Sequence, residues 1–352
     1  MAVIPIFLHM TPISSLGEFG LIRHLTENIQ LKNASTRKGI GDDAAVLEYK
    51  DKQVLVTTDL LLEGIHFDLT YVPLKHLGYK AATVNFSDIY AMNGQPKQLT
   101  VSLGISKRFS VEDLEDFYSG LELACTIYGV DLVGGDTSAS LTGLCISATC
   151  IGEADSDRTV YRSGAKSTDL ICVSGDLGAA YMGLQLLERE KAVFAGEKDF
   201  NPDFAGKEYL LERQLKPEAR KDIVRILNDN RILPTSMIDV SDGLSSDLLH
   251  ICKQSNVGCV VYEERLPIDY QTAMMAEQFN MNVTTVALNG GEDYELLFTV
   301  PLSFHEEIEQ LDGIKLIGHI CDASLGTNLV TRGGAHIPLA AQGWNPLKSE
   351  PQ

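Results

Sequence analysis

Carboxylates sit among small, glycine or hydroxyl-bearing neighbours at six places along the chain. These are Gly41-Asp42-Asp43-Ala44-Ala45, Thr57-Thr58-Asp59, Asn85-Phe86-Ser87-Asp88, Gly134-Gly135-Asp136-Thr137, Asp239-Val240-Ser241-Asp242-Gly243 and Gly290-Gly291-Glu292-Asp293. One such patch is an ordinary turn, because Asp and Ser hydrogen-bond the local backbone and cap turns and helix starts. Several beside strand-like runs supply hard oxygen ligands of the kind that hold magnesium and, with it, a polyphosphate. Asp43, Asp59, Asp88, Asp136, Asp239 and Asp242 are the candidate ligands, and Thr57, Thr58 and Ser241 add hydroxyl or carbonyl oxygens beside them. The Ser87-Asp88 pair weighs most. It falls inside a helical pattern, where both residue types are unfavourable without a task.

The common phosphate cradles are missing from the sequence. Gly39-Ile40-Gly41-Asp42-Asp43-Ala44 fits the loose G-x-G-x-x-A form of a dinucleotide fingerprint. That motif needs a strand before it and a helix after it. Here Arg37-Lys38 precede it and the extended-looking Ala45-Val46-Leu47-Glu48-Tyr49 follows, while two carboxylates would repel a bare pyrophosphate. No G-x-x-x-x-G-K-[ST] loop, no kinase catalytic loop with D-F-G and no EF-hand loop occurs. Nucleotide chemistry in this chain must rest on dispersed carboxylates, magnesium and glycine-rich turns.

A formal charge of −19 argues against nucleic acid or an anionic membrane as partner, since both need clustered Lys and Arg. An anionic small substrate stays open, because bound magnesium reverses the local sign. Seven cysteines without a Cys-x-x-Cys pair, several of them in apolar runs, point to buried free thiols in a reducing cytoplasm. The apolar stretch Ala2 to Leu8 is short and contains Pro5, so it is a poor signal peptide and too short to span a bilayer.

These residues need elements to carry them. The 352 residues favour two domains over one. Strand patterns cover Gln53 to Thr58, Gln98 to Ile105, Asp131 to Val133 and Gly143 to Gly152, and helical spacing covers Leu74 to Met92. A further helix opens at Ser110, with Asp113 three residues on as a capping box, and runs to about Tyr128. The charged passage Glu153 to Arg158 is the preferred boundary, giving domains 1–155 and 156–352. The second half reads as strands at Leu170 to Ser174, Gly258 to Tyr262, Glu295 to Val300 and Lys315 to Ile320. Its helices fall at Gly178 to Glu190, Glu218 to Asn230 and Leu244 to Gln254, with an exposed loop at Lys191 to Lys207. Strands and helices mixed in both halves predict an α/β or α+β chain.

Taken in order, Gly-Glu-Phe-Gly-Leu-Ile (17–22), Gly-Asp-Asp-Ala-Ala-Val (41–46), Thr-Thr-Asp-Leu-Leu-Leu-Glu-Gly-Ile-His-Phe (57–67), Asn-Phe-Ser-Asp-Ile-Tyr-Ala-Met (85–92) and Gly-Gly-Asp-Thr (134–137) form a familiar series. It continues with Arg-Ser-Gly-Ala-Lys (162–166), Ile-Asp-Val-Ser-Asp-Gly-Leu (238–244) and Gly-Gly-Glu-Asp-Tyr-Glu-Leu (290–296). The series closely resembles the bacterial thiamine-monophosphate kinases of the aminoimidazole-ribonucleotide-synthetase-like superfamily, over about residues 17 to 344. Its specificity lies in the ordered co-occurrence.

The resemblance implies a two-domain fold in which the N-terminal-half sheet builds a dimer-interface barrel and a C-terminal α/β domain completes the site. It implies ATP-dependent phosphorylation of thiamine monophosphate to thiamine diphosphate by a cytoplasmic homodimer. Several magnesium ions would be held by Asp43, Thr57, Thr58, Asp59, Asp88, Asp136, Asp239 and Asp242, and potassium is an accessory cation it leaves open. ATP contacts fall on Gly135, Asp136, Arg162, Ser241 and Tyr118, and substrate contacts on His66, Glu292 and Trp344. No residue is assigned as a covalent or base catalyst. Arg162 with metal-held Asp88 and Asp136 would stabilise transition-state charge. Asp293 and Glu295 read as structural. Other readings are an aminoimidazole-ribonucleotide synthetase, which shares the fold and its ATP logic, and a non-catalytic sensor of magnesium or nucleotide.

Overall fold

The structure, a computed structural model, describes residues 24–38, 46–47, 53–155, 157–194, 202 and 204–341. The chain divides into two compact units, one of residues 1–49, 58–82 and 97–150, the other of residues 50–57, 83–96 and 151–352.

In the first unit β1 (Thr36–Lys38) pairs antiparallel with β2 (Val46–Leu47). A four-stranded sheet contains β3 (Gln53–Leu62), β4 (Gln95–Ile105), β5 (Asp131–Ala139) and β6 (Cys145–Ala154), in the order β3-β6-β4-β5. Strands β4 and β5 run parallel, and the helix between them makes that crossover possible. Before β4 comes α1 (Leu74–Ala91), whose residues from 83 on belong, with residues 53–57 of β3, to the second unit, and between β4 and β5 comes α2 (Val111–Tyr128). The predicted capping box is present: Asp113 N donates to Ser110 Oγ at 3.2 Å and Ser110 N to Asp113 Oδ2 at 2.8 Å. This satisfies two of the backbone donors that a helix start leaves open.

Within this unit α1 and α2 cross at two glycines. A Cβ on Gly120 would stand 1.7 Å from the Lys75 carbonyl oxygen, and one on Gly78 would stand 1.9 Å from that of Phe117. Only glycine lets the two backbones approach this closely.

The second unit is built on a seven-stranded sheet. Its strands are β7 (Leu170–Ser174), β8 (Ser236–Asp239), β9 (Gly258–Tyr262), β10 (Leu296–Val300), β11 (Ile314–Cys321), β12 (Thr327–Val330) and β13 (His336–Pro338). Their order is β13-β12-β9-β11-β7-β10-β8, antiparallel throughout except where β12 runs parallel to β9. Every residue of β7, β8 and β10 is buried, so these strands read as continuous rather than alternating runs.

The helices of this unit are α3 (Ala179–Val193), α4 (Glu208–Leu215), α5 (Lys221–Asp229), α6 (Leu244–Ser255), α7 (Tyr270–Gln278), α8 (Val283–Asn289) and α9 (His305–Gln310). Leu244, Leu248 and Ile251 of α6 pack on Ile171, Val173, Ile238 and Leu297 of the sheet. A second cluster joins Met182 and Leu186 of α3 to Leu210 of α4 and Met275 of α7. Both α/β character and mixed strand direction follow the expected fold class.

Three local expectations needed adjustment. The Lys191 to Lys207 passage is not loop from its first residue, because α3 continues to Val193 and Lys191 occupies its last turn, where a cation suits the carbonyl end. Helix α4 and strand β8 carried no sequence signal, being short and too close to their neighbours for a period to show. Among the described residues no helix is long and apolar enough to cross a membrane. The seven cysteines are free thiols, with six buried and Cys145 half-buried.

Candidate active site

Sheet register decides which of the predicted residues meet in the second unit. Leu296 at the start of β10 pairs with Asp239 at the end of β8, and Leu297 pairs with Val173 near the end of β7. Antiparallel pairing therefore brings three loops to one end of the sheet: Gly175–Gly178, Val240–Gly243 and Gly290–Glu295. The last two are tied by their backbones, with Glu292 N donating to Ser241 O at 2.8 Å and Tyr294 N to Val240 O at 2.9 Å. Ser241 and Glu292, 51 positions apart in the chain, are thus neighbours.

Asp239 is buried and accepts a hydrogen bond from the buried Ser87 Oγ at 2.7 Å. Next to Ser87, the half-buried Asp88 accepts from Thr57 Oγ1 at 2.5 Å. Burial pushes the Asp88 carboxyl up, against the Thr57 hydroxyl and the Arg162 guanidinium, which hold it down. The second unit therefore assembles Thr57, Asp88, Arg162, Asp239, Ser241, Asp242 and Glu292 from five separate stretches of chain. The Ser87-Asp88 pair has its helical setting on α1, and both side chains have named partners there.

Asp242 is exposed, and its backbone N–H donates to Asp247 Oδ2 on the first turn of α6 at 3.2 Å. Burial first, then the Asp239 and Asp242 carboxylates, push Asp247 up to about 8. The loop is thus surplus in negative charge and suited to a cation.

Behind Glu292 lies a buried ionic group. Arg213 approaches Glu295 at 2.9 Å and Asp293 at 3.9 Å, Arg220 also pairs with Glu295, and Tyr209 donates to Asp176 at 2.5 Å. Ser174 Oγ donates to Glu295 at 2.5 Å and Gly178 N to Asp293 at 2.8 Å. Three carboxylates face two guanidinium groups. Burial pushes Asp293 up to about 7, against Arg213 and the Gly178 N–H, and it pushes Asp176 up as well. Asp293 and Glu295 are both buried within this ionic group.

The first unit carries the other described candidates. Thr58, on the strand it shares with Asp59, donates to Ala148 O and receives a hydrogen bond from Thr149 Oγ1, each at 2.9 Å. His66 is half-buried, and its Nδ1 accepts from Leu62 N at 3.0 Å, which leaves Nε2 as the nitrogen able to carry a proton in the neutral ring. Gly135 pairs with Val101, and a Cβ there would stand 1.8 Å from the Val101 carbonyl oxygen. That glycine is required by the sheet whatever else it does. Asp136 beside it is exposed. Tyr118 is half-buried on α2 and burial pushes its hydroxyl up to about 12. Asp43 and Trp344 lie outside the described residues.

Residues 41–154 match the family model described as AIR synthase related protein, N-terminal domain. Thiamine-monophosphate kinase from Aquifex aeolicus is 38% identical over 289 residues, 82% of this chain and 87% of that one. Thiamine-monophosphate kinase from Bacillus subtilis is 32% identical over 341 residues, 95% of this chain and 100% of that one. The chain belongs to the thiamine-monophosphate kinase family. It is an enzyme, a kinase. A solved structure described as AaThiL complexed with AMPPCP and TMP is 35% identical, has a TM-score of 0.72, and covers 96% of this chain and 99% of its own. The match to the Bacillus kinase takes in both compact units, so family membership does not rest on the first unit alone.

One buried polar group beside Glu292 had no sequence signal. Gln214, buried on α4, donates from Nε2 to Glu292 Oε2 at 2.8 Å. With Glu212 and Arg213 it makes three polar side chains in a row on an eight-residue helix, a pattern that reads as a solvated face.

Proposed function

We propose that this kinase transfers the γ-phosphoryl group of ATP to the phosphate of thiamine monophosphate, giving thiamine diphosphate and ADP. In the direct, in-line reaction an acceptor phosphate oxygen forms a bond to the γ-phosphorus as the bond to the β–γ bridging oxygen breaks. No covalent protein intermediate is needed, and catalysis is positioning plus neutralisation of charge. The observation that carries the reading is the gathering of Thr57, Asp88, Arg162, Asp239, Ser241 and Glu292 through named hydrogen bonds and electrostatic contact in one unit. The kinase structure holding AMPPCP and TMP, a nucleotide analogue with a second ligand, supports it.

The donor set fits magnesium. It consists of carboxylate and hydroxyl oxygens with no sulfur, and the Asp239 and Asp242 carboxylates, which add to burial in raising Asp247, call for a cation. Among the described residues no three His, Cys, Asp or Glu side chains form a ready-made metal site. Magnesium keeps several waters and takes phosphate oxygens, so a bound nucleotide would complete its shell. Asp43, Thr57, Thr58, Asp59, Asp88, Asp136, Asp239 and Asp242 would hold it. When bound, magnesium neutralises the two phosphates whose repulsion opposes the reaction.

Each side chain then has a task. Thr57 orients the Asp88 carboxylate, and Ser87 orients that of Asp239. Arg162 offers a planar, bidentate fork to phosphoryl oxygens as charge moves toward them. Gly135, Asp136, Ser241 and Tyr118 contact the nucleotide. His66 meets the acceptor phosphate through Nε2, and Trp344 stacks on the cationic thiazolium. Glu292 accepts from the amine of the aminopyrimidine. The reading extends to domains 1–155 and 156–352, to a cytoplasmic homodimer closed through a barrel of N-terminal-half strands, and to potassium as an accessory cation.

A coupled ADP-release assay tests the reading with thiamine monophosphate, free thiamine and formylglycinamidine ribonucleotide as acceptors. ADP release with thiamine monophosphate alone is expected, and its disappearance when EDTA removes magnesium. Turnover with the ribonucleotide instead would make the chain an aminoimidazole-ribonucleotide synthetase, and binding without turnover a sensor.

A further inference from the structure

We infer that Gln214 is a specificity-determining positioning residue, which fixes the Glu292 carboxylate so that it accepts from the exocyclic amine of an aminopyrimidine substrate. The inference rests on the proposed substrate role of Glu292. Gln214 sits at 5% exposure on α4, and burying a primary amide is costly unless its donors are used. Its Nε2 is used on Glu292 Oε2 at 2.8 Å, a charge-assisted contact stronger than one between neutral groups.

The loop that presents Glu292 is held in an unfavourable shape. Glu292 and Tyr294 both adopt left-handed backbone conformations, φ 57° and 51°, uncommon for side-chain-bearing residues. Such conformations persist where the surroundings over-determine them, and they cluster at ligand clamps. Here the surroundings are the Val240–Ser241 backbone on one side and α4 on the other. Arg213 anchors α4 to that loop and to its neighbour, donating to Asp293 O at 3.3 Å and Asp176 O at 3.1 Å. The helix itself cannot slide, since Gly183 of α3 packs so closely that a Cβ there would stand 2.2 Å from the Leu210 carbonyl oxygen. Arg213 therefore fixes the loop, and Gln214, next in the chain, fixes the side chain that the loop displays. A carboxylate with one oxygen held by an amide presents a defined direction to an incoming N–H donor.

Steady-state kinetics on the full-length enzyme with magnesium test this with Gln214→Met, Glu292→Gln and the double variant. Expected for Gln214→Met is a rise of about tenfold in KM for thiamine monophosphate, with kcat and KM for ATP within about twofold of the parent. In the Glu292→Gln background the same change should add nothing, because it acts through Glu292. An unchanged KM for Gln214→Met beside a raised KM for Glu292→Gln overturns the inference alone. Multiplying effects in the double variant, or a parallel fall in kcat and rise in KM for ATP, overturn it as well. An unchanged KM for Glu292→Gln overturns both this inference and the substrate role of Glu292. Should Gln214→Met fail to fold, Gln214→Asn keeps the amide but withdraws it by one methylene, and the same outcomes apply.

Discussion

Asp88 shows how one side chain comes to depend on its setting. Its helix gives it a fixed direction, Thr57 and Arg162 hold it toward ionisation, and burial opposes them. A carboxylate balanced this way is most comfortable with a cation beside it. Asp88→Asn keeps the shape and an acceptor for the Thr57 hydroxyl, so the fold should survive with an unchanged circular dichroism spectrum. Loss of the charge should lower kcat by on the order of a hundredfold or more, as removal of a preorganised electrostatic group does. Near-normal ADP release by this variant would remove Asp88 from the site.

At the scale of elements, placement depends on backbones that touch. Gly120 and Gly78 let α1 and α2 meet, and α1 is the helix that carries Ser87 and Asp88. Gly120→Ala inserts a methyl group where the Lys75 carbonyl oxygen stands 1.7 Å away, so the helices must part. The expected cost is at least about 1–3 kcal/mol, the usual range for overpacking, read as a lower urea midpoint. Activity should fall with it, as α1 shifts away from α2. An unchanged midpoint would show that the crossing yields without strain. Ser110→Ala, which removes half of a capping box, should cost only about 1 kcal/mol and leave activity alone.

Over the whole molecule, buried charge sets how stability responds to pH. Asp293, buried with Glu295 and Asp176 around Arg213 and Arg220, is pushed up by burial from an ordinary 3.8 to about 7. A carboxyl whose folded value is raised holds its proton more tightly when folded. The stability it contributes is present below its ordinary value and is lost as pH rises through about 7. Against Asp293→Asn, the parent enzyme should lose up to about 1.4 kcal/mol per pH unit across that window, and then run parallel above it. Urea midpoints of the two proteins between about pH 5 and about pH 9 check this. Curves that stay parallel throughout would mean that Asp293 is ionised in the fold at every pH tested.

The sequence by itself determined the family and most of the elements. The motif series, read in order, resembles the kinase family, because short stretches that carry oxygen ligands keep their residue types whatever the path of the chain between them. Helices α1, α2 and α6 and strands β3, β4, β7, β9 and β11 were legible from period and caps, since each is long enough or sharply enough bounded for its pattern to repeat. The tertiary structure alone decided the neighbours. Ser87 meets Asp239 across 152 positions, and Ser241 meets Glu292 through a register that no local pattern encodes. Gln214 was invisible for the same reason: a glutamine on a short helix looks like surface until packing buries it against one particular carboxylate. Local periodicity records only which face of an element turns inward, and what it meets there is fixed by long-range pairing that the chain makes once, when it folds.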